Sequence, residues 1–567
     1  MNKTGCSIKN EWVRTDTIIL SLLLLIAAVL RFWAYDKLGI DHFDEGGYAM
    51  SAMAVYEWRA DWLYPLQHLL SPPLFFTLSG LVMSLLGAPV DVALFMVSSV
   101  AGTLTVGIIY SIGRNNYGRE AGVAAALLVA LADYHISFSR AGLTDVTFCF
   151  LFLLALGAYI RAERMESFFW AIIAGILTGL AWNTKYHGWL AGVVAGAALL
   201  PYLLQHDWTR FRAGFARVFT AAVVATLMYV PWFLYIEAQE GGYAYMAEYQ
   251  SGFLDPSNFL QNIISHVRAQ YYLEGWSGML APLLGTIAVA ILCRRLNATI
   301  FMLGIALLLG GVVLGESIVV MVLALVGLVA LMQDSPGYER SVLISFFLVF
   351  SFLSPFYFPY ARLLLPLMCA AYILAGIGLV SLVQDRVPLV RLCPPRYQLL
   401  SMVAMSLVLA SPLIFTGISV RGHTYAPSTG FMTAVEEIVP LIRENNDVAV
   451  IGEPAAVFYL RSLGYDAVHL DKLDDMHGYY EPGMHVYIVC GRYACYRQED
   501  WFARYPGAFT RLGTGTVSEI SEIRLFDDES PWSAVHWNPA ERRDYDLQLF
   551  RLDVPLRPVG KDTDNRT

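Results

Sequence analysis

Charge is what this 567-residue chain has least of: 15% of its residues are Asp, Glu, Lys or Arg, where a soluble globular chain carries about a quarter. Positive charge is scarcer still, 38 Lys+Arg against 47 Asp+Glu for a net charge of -9. That excludes a nucleic-acid-binding footprint, which needs a basic patch. Seven cysteines in this length do not make a disulfide framework. Cys149, Cys293 and Cys369 lie in apolar runs and read as small core residues. Cys490 and Cys495 stand as Cys-Gly-Arg-Tyr-Ala-Cys, a spacing open to a bridge in an oxidising compartment. It lacks the second pair a zinc site needs. There is no Gly-x-Gly-x-x-Gly and no P-loop, so nucleotide binding has no support. No internal repeat of the inverted-topology transporter kind is visible.

What is present is apolar: 57% of residues are hydrophobic, with mean hydropathy +0.52. This excludes a soluble enzyme, a disordered chain and a fibrous repeat. The distribution is uneven, because 23 of the 47 acids but only 15 of the 38 bases follow residue 420. Residues 1–420 therefore read as a polytopic α-helical membrane region and 421–567 as a water-soluble domain. A bilayer-crossing helix needs about 20 mostly apolar residues. Such runs fall at 17–36, 91–112, 120–137, 143–160, 167–183, 187–204, 218–236, 276–293, 297–314, 315–333, 341–358, 362–383 and 398–419, thirteen in all.

One more apolar stretch, 72–88, is shorter and opens with Pro-Pro. Cytoplasmic loops collect Lys and Arg. If 72–88 does not cross and the N-terminus is cytoplasmic, sixteen of the 23 bases before residue 420 fall inside and seven outside. Counting 72–88 as a span places thirteen of the sixteen outside, so it reads as a helix in the outer interface. The first span, flanked by Arg31 and Asp36 instead of a small-residue cleavage site, reads as a retained anchor. The segments 37–90, 138–142, 184–187 and 237–275 then lie outside together with the tail, at a plasma membrane. In the tail, helical spacing from Phe431 to Ile442, a buried strand at 447–452, a helix at 454–463 and strands near 465–470, 484–490 and 521–526 describe a small α/β domain.

The few polar residues at the outer face carry the chemistry. Asp44 and Glu45 follow the first span within Asp-His-Phe-Asp-Glu-Gly-Gly-Tyr. Charges near hydrocarbon are costly and tend to be functional, although Asp44 also suits the N-cap of a helix whose first turn favours acids. Arg140 and Asp145 flank the next outer turn, where snorkelling and capping are the bland alternatives. Lys185-Tyr186-His187 and Tyr360-Ala361-Arg362 close the set. A carboxylate can act as general base on an acceptor hydroxyl or amine, and Lys or Arg can hold a phosphate. These are the parts needed to move a group off a lipid phosphate.

With Ser71-Pro72-Pro73-Leu74, Tyr110-Ser-Ile-Gly113-Arg114 followed by Gly118, Ser139-Arg140 followed by Asp145, and Arg362-Leu-Leu-Leu-Pro366, the sequence resembles a family. It is similar over roughly residues 15–385 to the GT-C membrane glycosyltransferases of the protein O-mannosyltransferase and aminoarabinose-transferase type (glycosyltransferase family 39). The bacterial and archaeal relatives in lipopolysaccharide-core and cell-envelope glycan biosynthesis resemble it most. The resemblance implies a polyprenyl-phosphate sugar donor, inverting transfer on the extracytoplasmic side, and a lipid, glycan or protein acceptor. Carried over, Asp44 is the expected base with Glu45 beside it, and Asp145 positions acceptor or base. Lys185 and Arg362 are expected on the donor phosphate, supported by Tyr186, Tyr360 and Arg140. Relatives often place His or Lys before Pro-Pro; here Ser71 stands there, and His68 is the nearest substitute.

No cofactor is required by this reading, and a divalent cation stays open, since His42, His68, His187 and His266 all fall outside. The Tyr- and acid-rich segment 237–275 is expected either to bind sugar rings or to cap the cavity. Two rival readings remain. A transporter or flippase for lipid-linked sugars predicts charges deep in the spans, where Glu316 is the main exception to their absence. A non-catalytic anchor for the outer α/β domain leaves the acids without a role.

Overall fold

The computed structural model describes residues 3–58, 71–239, 241–333, 337–384, 424–442, 448–451, 453–468, 485–491, 507–521 and 545–553. His68, Cys495, the expected span 398–419, the 420/421 boundary and the expected strand at 521–526 (beyond Ser521) lie outside them.

Twelve of the thirteen apolar runs coincide with helices. In chain order these are α1 (Lys3–Phe32), α4 (Val90–Tyr117), α5 (Arg119–Leu131) with α6 (Asp133–Ser139), α7 (Thr144–Arg164), α8 (Phe168–Trp182), α9 (Leu190–Ala197) with α10 (Leu200–Leu204), and α11 (Trp208–Glu237). After them come α14 (Trp276–Leu292), α15 (Ala298–Leu314), α16 (Glu316–Met332), α17 (Tyr338–Leu353) and α18 (Leu365–Val383). Between these runs lie α2 (Phe43–Glu57), α3 (Leu74–Leu86), α12 (Gly242–Ser251) and α13 (Phe259–Leu273).

Among the described residues, six helices are long and apolar enough to cross a membrane, or up to eight if each bent pair is one span. The run 120–137 is not one straight helix: α5 and α6 meet at 62°. The break frees the carbonyls of Val129 and Ala130, and the fully buried Arg31 donates to both, at 3.2 and 3.3 Å. Unpaired backbone groups are costly away from water, so this guanidinium completes the kink. A second pair, residues 256–273 with α14, bends by 90°. Helix α3, the expected interface helix, has 13 residues, which makes it ~20 Å long at ~1.5 Å per residue. That is short of a ~30 Å hydrocarbon core.

Helix α18 lies at the centre of the bundle, buried along nearly all its length. It packs closely on α16 because glycines face each other. A Cβ on Gly327 would overlap the Leu374 carbonyl, and one on Gly378 the Leu323 carbonyl. Small residues let helices approach where no water is present to drive association. Helix α11, by contrast, turns Phe215, Phe219, Leu227 and Leu234 outward, an apolar surface suited to lipid.

The tail is a small α/β unit. Helix α19 (Gly430–Ile438) and α20 (Pro454–Ser462) accompany strands β1 (Val448–Ile451), β2 (Asp466–Val468), β3 (His485–Cys490), β4 (Phe509–Val517) and β5 (Tyr545–Leu552). The sheet order is β2-β1-β3-β5-β4, parallel through β3 and antiparallel beyond it. Cys490 is disulfide-bonded, whereas Cys149, Cys293 and Cys369 are free.

Candidate active site

Helix α2 starts the site. Its N-cap is His42, not Asp44: the His42 side chain accepts the Asp44 N–H at 3.1 Å, and Glu45 reaches back to the His42 N–H. This reciprocal arrangement satisfies two orphan donors at once. It leaves the Asp44 carboxylate to point elsewhere, onto Arg362, with Nη1 to Oδ2 at 2.8 Å.

A second carboxylate–cation pair stands beside the first. Asp145, in the first turn of α7, pairs with Lys185. The Asp145 side chain is 5% exposed and that of Lys185 17%. Lys185 is held in place through its neighbours. Ser71 donates to the Thr184 carbonyl at 2.8 Å, and the Leu74 N–H donates to the Asn183 carbonyl at 2.9 Å. The Ser-Pro-Pro entry into α3 thus braces the Lys185 segment.

Between the pairs lies a cavity of about 320 Å³ lined by Phe43, Asp44, Tyr48, Lys185, Tyr186, His187, Tyr249, Gln250, Phe253, Tyr357, Tyr360, Arg362 and Leu363. The Arg362 guanidinium also lies over the Tyr360 ring, 5.0 Å from its centroid. Segment 237–275 closes the cavity from one side. Phe253 accepts the Phe358 N–H at 2.8 Å, Asp255 donates its N–H to Phe356 at 2.7 Å, and Leu254 bridges Tyr357. Tyr186 packs with Trp232, Tyr243 and Tyr249 around Ile236 and Met246.

Of the residues singled out from sequence, Asp44, Lys185, Tyr186, Tyr360 and Arg362 meet at this cavity, with Asp145 directly behind Lys185. Glu45 and Arg140 are placed differently. Glu45 is buried and accepts the N–H groups of Asp41, His42 and Gly142 at 3.1, 3.1 and 2.7 Å. Its carboxylate ties the loop before α2 to the turn between α6 and α7. Arg140 does not snorkel. It is buried and donates to the carbonyls of Arg31, Trp33 and Ala34 at the end of α1, where a cation complements the helix dipole.

One cavity residue had no role assigned from sequence, and another was weighed there only as a cation ligand. Tyr48, one helical turn after Asp44, lines the cavity; burial raises its hydroxyl pKa, as do the nearby Asp44 and Asp145, while Arg362 opposes them. The spacing of four from Asp44 was the available signal. His187 also lines the cavity. Removal from water, then Lys185, pushes its imidazole down to about 3, so it is neutral at ordinary pH. Among the described residues, no three His, Cys, Asp or Glu side chains gather as a metal site.

Residues 71–235 match the family profile of dolichyl-phosphate-mannose-protein mannosyltransferases. No curated protein matches by sequence. Among solved structures, the oligosaccharyltransferase AglB from Archaeoglobus fulgidus, in complex with an inhibitory peptide and a dolichol-phosphate, superposes with a TM-score of 0.51 at 13% identity. The match covers 85% of this chain and 70% of that one. The apo oligosaccharyltransferase of the same organism gives 0.53 at 13% identity, over 84% and 69%. ArnT from Cupriavidus metallidurans bound to undecaprenyl phosphate aligns over 94% and 98% at 16% identity, but its TM-score of 0.47 is too loose to argue from. The fold is that of the GT-C enzymes, and the family match falls on the segment that carries Asp145 and Lys185. The chain thus has the GT-C fold, with six helices among its described residues long and apolar enough to cross a membrane, and over residues 71–235 it is similar to the dolichyl-phosphate-mannose-protein mannosyltransferases.

Proposed function

We propose that the protein transfers one sugar from a polyprenyl-phosphate carrier to an acceptor on the extracytoplasmic side, with inversion at the anomeric carbon. The observation that carries this reading is the pair of carboxylate–cation contacts, Asp44–Arg362 and Asp145–Lys185, at one aromatic-lined cavity. The similar archaeal oligosaccharyltransferase, which was captured with a dolichol-phosphate, supports a lipid-phosphate donor.

In this reaction Asp44 takes the proton of an acceptor hydroxyl or amine. The acceptor atom attacks the anomeric carbon, the bond from that carbon to the phosphate oxygen breaks, and polyprenyl phosphate leaves with the electron pair. Arg362 and Lys185 meet the charge that develops on the phosphate. Asp145 holds the Lys185 ammonium toward the cavity. Tyr249, Tyr357 and Tyr360 offer ring faces and hydroxyls to the sugar.

The test is sugar transfer from labelled polyprenyl-phosphate donors by purified, correctly inserted Asp44→Asn and Asp145→Asn proteins. Loss of transfer with donor binding retained is expected for Asp44→Asn; full-rate transfer by both would sink the assignment. Because the phosphate charge is met by side chains in this scheme, chelation is expected to leave turnover standing. Activity lost in chelator and restored by Mg²⁺ or Mn²⁺ would move that work to a cation.

A further inference from the structure

The loop that delivers Asp44 is not held by the membrane bundle alone. Four consecutive backbone N–H groups, from Gly39 to His42, all find side-chain acceptors. Asp41 and His42 use Glu45, four and three residues away. Gly39 and Ile40 use the tail: the Gly39 N–H donates to Ser428 Oγ at 2.8 Å and the Ile40 N–H to the Tyr459 hydroxyl at 2.8 Å. Ser428 also returns its hydroxyl to the Gly39 carbonyl at 2.9 Å and its N–H to the Lys37 carbonyl at 3.0 Å. Ser521 donates N–H and hydroxyl to the buried Asp41 carboxylate, at 2.6 and 2.9 Å. Helix α20 then seats directly on α2. At Gly46, two residues beyond Asp44, any Cβ would overlap the Pro454 carbonyl and the Ala455 nitrogen.

A loop of this length with unpaired N–H groups has no reason to keep one conformation. Here the missing acceptors come from residues 389 and 419 positions later. We infer that the C-terminal domain is a positioning element for transfer: through Ser428, Tyr459 and Ser521 it fixes the loop that aims Asp44. This rests on the reading of Asp44 as the base. Without those contacts the loop samples several conformations, and the carboxylate spends less time in line with an acceptor. A displacement of ~1 Å at a reacting group can cost ~100-fold in rate.

The experiment uses the full-length protein with Ser428→Ala and Tyr459→Phe, singly and together, and Ser428→Thr as the conservative variant. Two readouts are taken: hydrogen exchange of peptides covering 38–46, and separate kcat and donor KM. The expected result is faster exchange in the double variant and kcat lowered about tenfold or more, with donor KM nearly unchanged and Ser428→Thr close to wild type. Unchanged exchange overturns the clamp. Faster exchange with wild-type kcat overturns the positioning role and leaves only a structural one. Should Asp44→Asn retain full transfer, the reading of the base fails and this inference fails with it, while the exchange result still reports on the clamp by itself.

Discussion

Glu45→Ala is expected to be among the most damaging single substitutions in the segment that opens α2, although Glu45 does not line the cavity. Glu45 is 3% exposed, and its carboxylate accepts three backbone N–H groups, two on Oε2 and one on Oε1. Each buried donor left without an acceptor costs ~1–3 kcal/mol. Three such losses, less what relaxation and release from burying a carboxylate return, leave a net cost of ~3–5 kcal/mol. Glu45→Gln can keep its amide oxygen on the Asp41 and His42 side and loses only the Gly142 acceptor, so ~1–3 kcal/mol is expected. The assay is thermal or denaturant unfolding in detergent, read alongside retention of the monodisperse peak.

A pH series adds an independent arm. Burial raises the Glu45 carboxyl pKa, with the nearby His42 and the three N–H donors only partly opposing it. The folded state therefore holds its proton to higher pH than the unfolded chain does. Relative to Glu45→Gln, wild-type stability should be greatest below the unfolded value of about 4.3 and fall as pH rises through the folded one. A Glu45→Ala protein within ~1 kcal/mol of wild type would refute the reasoning, because three buried N–H groups would then have found other acceptors at no cost.

Three further outcomes are expected. Asp145→Asn and Lys185→Met should each destabilise by ~3 kcal/mol, because each strands a partly buried charge, while the double variant recovers most of that stability without recovering transfer; additive losses in a double-mutant cycle would contradict this. Tyr48→Phe should fold normally yet lose ~10- to 100-fold in kcat if its cavity-facing hydroxyl bonds the donor phosphate, the scale of one hydrogen bond to a charged group; wild-type kcat would remove Tyr48 from the site. Gly278→Ala should lower the yield of folded protein, because the added Cβ would meet the buried Glu316 carboxylate, and overpacking of this kind costs ~1–3 kcal/mol. Wild-type melting behaviour would show that Glu316 can move aside.

Much of the fold was legible because apolar runs of about 20 residues have few solutions in a bilayer. The tail's helix at 454–463 and its strands at 447–452 and 484–490 appear as α20, β1 and β3, since short alternating elements also leave a local trace. The kink between α5 and α6 left none: its stabilising partner, Arg31, lies about 100 residues earlier. The same holds for Arg140 and Glu45, whose charges looked available in sequence but are bound to backbone groups. Charge at a helix end shows which residues are able to react, whereas the partners that occupy them are set by tertiary contact. Tyr48 was the reverse case, a residue one helical turn from Asp44 to which the sequence assigned no role and which lines the cavity.

The contacts from Gly39 and Ile40 to the tail also bear on how the protein is made. Their acceptors are 389 and 419 residues downstream, and at ~5–20 residues per second a ribosome reaches them ~20–80 s after the loop has emerged. During that interval the membrane helices can insert and pack, but the first loop cannot take its final form. Final seating of the loop that leads to Asp44 is thus a late event in biosynthesis. A chain stalled or cleaved ahead of Ser428 would be a membrane-embedded bundle with its acid loop unfastened.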